Sequence, residues 1–169
     1  EHPLAPYKLA QFLREQQPEA ALQHTLQAWQ NLKALEAPSQ FLHLEMLNQL
    51  LLLLQATSQY ARFPEWLEAF AHHCAALQQT SLSPAQQQRV REEEGACALL
   101  RASYLHAISS PVAGEAFHTA AQQLACLEQA VALGASQTRH MALHRQADML
   151  ACLYRYEAAV ATYNALVRQ

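Results

Sequence analysis

Glycine, lysine and aspartate are all scarce in this 169-residue sequence, which has 3 glycines, two lysines (Lys8 and Lys33) and one aspartate, Asp148. So few glycines leave little material for the tight turns of an all-β architecture, and runs of Val, Ile and Thr that would build strands are missing. A net charge of −3 without a basic face offers no electrostatic basis for holding nucleic acid. No apolar run, Leu50–Leu54 included, approaches the roughly 20 residues needed to cross a bilayer. A signal-peptide pattern is also missing.

The four cysteines, Cys74, Cys97, Cys126 and Cys152, form no Cys-x-x-Cys pair and each sits among apolar residues. They read as buried, reduced thiols, which points to the cytoplasm. No glycine-rich phosphate loop, no Gly-x-Ser-x-Gly elbow and no Cys–His dyad occurs, so neither a catalytic residue nor a cofactor is expected.

What the chain does have is Ala, Leu and Gln, with 51% hydrophobic residues, enough for a folded core. The spacing predicts an all-α chain of about eight antiparallel helices. The first runs from Pro6 to about Gln16. Pro18, at a position that suits proline, opens a second to about Glu36, with Leu22, Leu26, Trp29 and Leu32 inward. Ser39 caps a third reaching Ser58, which the Leu50–Leu54 run makes apolar all round and therefore central. Pro64 starts a fourth with the stripe Phe63, Trp66, Leu67, Phe70, Cys74 and Leu77.

"TSLSPAQ" at 80–86 is the sharpest boundary, with Ser83 as N-cap, Pro84 at N1 and Gln86 completing a capping box. This fifth helix runs to about Ile108, where "SSPVAGEA" interrupts it. The sixth carries Phe117, Ala120, Ala121, Leu124, Leu127 and Val131, and Gly134 stands where a C′ glycine ends a helix. A seventh starts at Ser136 and lines up Leu143, Ala147, Leu150 and Tyr154. In "YRYEAAVATYNALVRQ", Tyr156, Ala159, Val160, Tyr163, Leu166 and Val167 form one stripe that stops in mid-pattern. With Glu1 in place of an initiator Met, that abrupt end suggests a fragment of a longer protein.

Short connections pair these helices into hairpins at roughly 4–36, 39–79, 83–134 and 136–169 within a single domain. The second helices share a pattern: "PEAALQHTLQAW", "PEWLEAFAHHCA", "HTAAQQLACLEQAV" and "YEAAVATYNALV" each have an early anchor, at Ala21, Trp66, Ala121 and Ala159. Recurrence at this period points to stacked hairpins rather than a closed bundle. "ADMLACLYRYEAAVATYNALV" (147–167) resembles a tetratricopeptide repeat, with Ala147, Tyr156, Ala159 and Tyr163 on the small and aromatic positions of that motif. Leu150 and Gln146 depart from it, and Trp66 replaces the small residue in the second pair. The resemblance implies a right-handed superhelix and a role in protein binding. It is also similar to regulatory arms of bacterial signalling proteins, where such arrays precede a diguanylate cyclase or a transcription-regulator domain.

In such arrays the first helix of each pair lines a concave groove. Carrying those positions across gives Asn48, Gln55 and Gln59 in the second pair. Arg91, Glu94 and Arg101 follow in the third, and Met141, His144 and Asp148 in the last. Amide and charged donors suit recognition of a peptide main chain. His140, His144 and Asp148 recur every four residues, but a third ligand on one straight helix is badly placed, so no metal is expected. In "HHC" (72–74) the histidines fall at the edge of an apolar stripe. "REEEG" (91–95) reads as a solvated stretch, or else turns one glutamate toward a groove near Arg91 or Arg101.

The expectation is therefore a non-enzymatic, cytoplasmic interaction and regulatory module whose partner is a protein or peptide. A structural homodimer, or a small-molecule sensor controlling an attached output domain, is the alternative.

Overall fold

The computed structural model describes residues 2–35, 39–109 and 113–168, with side chains from 119 onward in the last of these. Phe117 and most of the "SSPVAGEA" interruption lie outside the described side chains, and Glu36 outside the described residues. Among the described residues eight α-helices follow one another: α1 (Ala5–Leu13), α2 (Pro18–Lys33), α3 (Gln40–Ala56), α4 (Phe63–Gln78), α5 (Pro84–Ala107), α6 (Ala113–Leu133), α7 (Ser136–Cys152) and α8 (Tyr156–Val167). A single 3₁₀ turn at Tyr60–Arg62 leads into α4, and no strand occurs among the described residues. The protein is all-α.

The chain divides into two compact units, Glu1–Val90 and Arg91–Gln169. In the first, α1 packs on α2, α2 on α3 and α3 on α4. The core is leucine-rich: Leu22, Leu32, Leu44, Leu47, Leu50, Leu51, Leu53, Leu54 and Phe63 are almost wholly buried. Trp66 and Phe70 are buried with them, as the stripe predicts. Leu52 is 41% exposed, so α3, though apolar on that side too, is not covered all round. Inside this core Thr25 Oγ1 donates to the Ala21 carbonyl at 2.8 Å and accepts from Gln49 Nε2 at 3.1 Å. That pair satisfies buried polar atoms that would otherwise each cost about 1–3 kcal/mol.

In the second unit α6 packs on α7 and α7 on α8. Ala98, Leu99 and Ala102 of α5 meet Cys126, Leu127 and Ala130 of α6 and Ala142 of α7. Small residues dominate this cluster, which lets the helix axes come close. Gly95 and Gly134 take the approach to its limit: a Cβ on Gly95 would lie 2.4 Å from the Gly134 nitrogen. Gly95 is therefore required by backbone contact, and a Cβ on Gly134 would itself lie 2.6 Å from the Ala130 carbonyl oxygen and 2.7 Å from Thr138 Cγ2. Gly134 does not adopt the left-handed C′ conformation expected of it, since among the described residues no glycine has a positive φ.

The local signals were otherwise read where they stand. Ser83 N donates to Gln86 Oε1 at 2.9 Å and Gln86 N to Ser83 Oγ at 3.3 Å, the reciprocal pair of a capping box. Ser39 precedes α3 but makes no side-chain cap bond. The turns after α3 and α7 are built alike. Ser58 and Tyr154 have φ of 57° and 59°. The next residue then reaches back across the turn, Gln59 N to the Leu54 carbonyl at 2.8 Å and Arg155 N to the Leu150 carbonyl at 2.9 Å. Both are Schellman closures at equivalent places in two hairpins.

Several inward positions differ from the periodic reading. Tyr154 belongs to this turn and is 79% exposed, not aligned along α7. On α6 it is Gln123, not Ala121, that is buried beside Ala120 and Leu124. Cys74, Cys97 and Cys126 are buried thiols, but Cys152, at the end of α7, is exposed. Among the described residues of α8 only Ala159 is buried, clustered with Leu150 of α7 and Leu124 of α6, while Tyr156, Val160 and Val167 face outward.

Candidate functional site: a cleft between α2 and α4

The first unit contains a cleft of about 700 Å³ whose lining comes from two helices and the turn before the second. From α2 come Gln23, Leu26, Gln27, Gln30 and Lys33, spaced three or four residues apart and so on one face. Arg62, Glu65, Trp66 and Ala69 repeat that spacing at the start of α4. Its floor is aromatic. Trp29 and Trp66 meet edge to face with ring centroids 5.9 Å apart, an arrangement that adds about 0.5–1.5 kcal/mol beyond burial. Both rings are nearly covered, and the Trp66 Nε1 is fully buried with no hydrogen-bond partner.

Behind Trp29 lie two histidines from different helices. His43 of α3 and His73 of α4 stack with centroids 4.4 Å apart and planes 21° from parallel. Each is edge-on to Trp29, at 5.3 Å and 5.6 Å. The Lys33 ammonium sits 5.3 Å from the centre of the Trp29 ring. His43 Nδ1 is 3.0 Å from the Ser39 carbonyl and donates to it, which sets the tautomer. Burial lowers the His43 pKa against that carbonyl, helped by the nearby Lys33 charge. His73 is lowered to about 4, by burial first and then by His43, His72 and Lys33. Both rings are therefore neutral at pH 7, with no carboxylate among the causes acting on them. His72 stays exposed, so of the adjacent pair only His73 turns in.

None of the nine residues predicted for a groove lines this cleft, which is formed by second helices of hairpins rather than first helices. Asn48 is buried in α3. Gln55 is half-buried, with its Oε1 covered and unpaired. Gln59 comes nearest the cleft, its Oε1 3.5 Å from an Arg62 guanidinium nitrogen.

The other six lie in the second unit. Arg91 and Arg101 are exposed and Glu94 is half-buried, as are Glu92 and Glu93. Met141 is 42% exposed. His144 and Asp148 are brought together, with Nδ1 and Oδ2 3.1 Å apart one helical turn along α7. Tyr163 of α8 donates its hydroxyl to Asp148, which raises the phenol pKa. The predicted His140, His144, Asp148 series thus resolves into one His–Asp–Tyr chain on the surface. Among the described residues no three His, Cys, Asp or Glu side chains converge as a metal would require, and no helix is long and apolar enough to cross a membrane.

The cleft escaped sequence reading for a specific reason. Periodicity places Trp29 inward, but the partners that make it a floor, Trp66 and the two histidines, stand 14 to 44 residues further along on other helices. A usable signal was the Gln23, Gln27, Gln30, Lys33 stripe, which runs along α2 at the edge of the face that carries Leu22 and Trp29. Compared with known protein families, curated proteins and solved structures, the chain matches none.

Proposed function

We propose that this chain is a non-enzymatic interaction module, a tetratricopeptide-like array of helical hairpins from a bacterial cytoplasmic regulatory protein, that binds a segment of a partner polypeptide. The observation that carries the reading is the α2/α4 cleft: a preformed concavity with a rigid aromatic floor and three glutamine amides along one wall. Each amide offers both donors and an acceptor, which is what a peptide main chain needs. Rigid walls lower the ordering cost of binding. Pairing of hairpins with the same Schellman turn after α3 and α7 supports the repeat character. Function here is argued from the site, since a helical scaffold alone implies none.

Selecting binders from a displayed peptide library and measuring them against two variants tests this. Ala69→Trp, which fills the cleft, should weaken the selected peptides at least about tenfold, a loss of about 1.4 kcal/mol. His144→Ala, on α7, should leave them unchanged. The opposite pattern would move recognition to the second unit and overturn the assignment of the cleft.

A further inference from the structure

Resting on the interaction-module reading, we infer that the α2/α4 cleft selects an acidic stretch of its partner, with carboxylates set on Lys33 and Arg62. The two cations carry the argument. Among the described residues neither makes a salt bridge, whereas Arg89 in the same unit is paired with Glu45. Lys33 rests over Trp29 and Arg62 has only the long contact to Gln59, so both keep charge-assisted donors to spare. Among the described residues Glu65 is the sole carboxylate in the lining, so the described lining carries a local positive balance in a chain whose net charge is −3. A positive site on an acidic surface attracts poorly at long range and discriminates well at contact, which is how charge confers register and specificity.

Two further features agree on an anionic group at Arg62. This residue is the N-cap position of α4, and no side chain caps that helix. A carboxylate beside its guanidinium therefore also meets the positive end of the helix dipole. The floor meanwhile argues against nucleic acid. Trp29 and Trp66 are 2% and 7% exposed, so neither presents a ring face on which a base could stack. Two cations opposed by Glu65 make a poor track for a phosphate backbone, which needs a row of them.

The test uses two fluorescein-labelled pools of short peptides, one with Asp or Glu at alternate positions and the other with Asn or Gln at the same places. A single-stranded oligonucleotide of similar length is the third probe. Anisotropy is read at low and high salt for the full chain, for the Lys33→Gln/Arg62→Gln double variant and for Ala69→Trp. Far-UV circular dichroism checks that each variant is folded. The acidic pool should bind wild type at least about tenfold more tightly than the amide pool. That margin should shrink with salt and vanish in the double variant, while Ala69→Trp loses both pools. Equal binding of the two pools, both abolished by Ala69→Trp, would overturn the acidic selection and leave the interaction reading standing. Failure of both pools to bind would remove the acidic selection and the interaction reading together. An oligonucleotide binding more tightly than the acidic pool would overturn the inference in favour of a nucleic-acid ligand.

Discussion

Gly95 of α5 lies against the backbone of Gly134 so closely that a Cβ there would come within 2.5 Å of the Gly134 Cα and 2.9 Å of the Leu133 carbonyl carbon. Backbone atoms cannot swing aside as a flexible side chain can. In an open helix, Gly→Ala would stabilise by roughly 0.5–1 kcal/mol. Here the clash reverses the sign. Gly95→Ala should destabilise the second unit by about 1–3 kcal/mol, the usual cost of forcing a methyl group into a filled space. Urea unfolding followed by circular dichroism reads it, and a rise in stability would show that the two glycines do not touch.

A buried polar pair makes a second test. Thr25→Val keeps the shape of the side chain but deprives Gln49 Nε2 of its acceptor. The loss should be about 1–3 kcal/mol. Adding Gln49→Met removes the stranded amide and should recover most of it, a coupling that a double-mutant cycle measures directly. Strict additivity of the two changes would mean the bond contributes nothing.

The turn after α7 stores strain at a residue that is not glycine. Tyr154 has a φ of 59° and its side chain is 79% exposed, so replacing it removes little packing. A left-handed conformation costs an L-residue roughly 1–2 kcal/mol. Tyr154→Gly should therefore raise the thermal midpoint, with part of the gain offset by the greater freedom of glycine when unfolded. Tyr154→Val, β-branched and intolerant of that φ, should lower it. Matching midpoints for the two would exclude strain at this position.

Stability should depend on pH through the stacked histidines. Both folded pKa values lie below the unfolded value of about 6.5, so unfolding takes up protons as the pH falls below it. Stability is then fully present above about pH 6.5 and declines as pH falls toward 4, the folded value for His73. His73→Gln should flatten that decline. Chemical-shift titration of the His73 ring offers an independent reading, and a midpoint near 6.5 in the folded protein would contradict the packing around Trp29.

How far these features were legible follows from the distance over which each is decided. The Ser83/Gln86 capping box and the start of α7 at Ser136 depend on a few adjacent residues, and they stand where the sequence places them. Burial of Trp66, Phe70 and most leucines of α3 follows from the apolar pattern, because an apolar stripe must be covered by something. The all-α class and the order of the helices were readable on the same grounds.

What covers a stripe, and what its edges meet, was decided only in three dimensions. His43 and His73 are 30 residues apart and share no local pattern, yet packing α3 and α4 against Trp29 stacks them and depresses both pKa values. Gly134 read as a helix stop, because glycine is chosen there so often for its backbone freedom; the structure uses instead the space left by its missing side chain. The outward stripe of α8 looked like the inner face of a covered helix, since periodicity reports that a face is apolar and not whether a neighbour reaches it. Which residues make helices, and which sides of those helices avoid water, is written in the order of the residues. That α2 and α4 leave a cleft between them, with neither Lys33 nor Arg62 in a salt bridge among the described residues, follows only from packing, because it depends on how far apart two helices are held by a third.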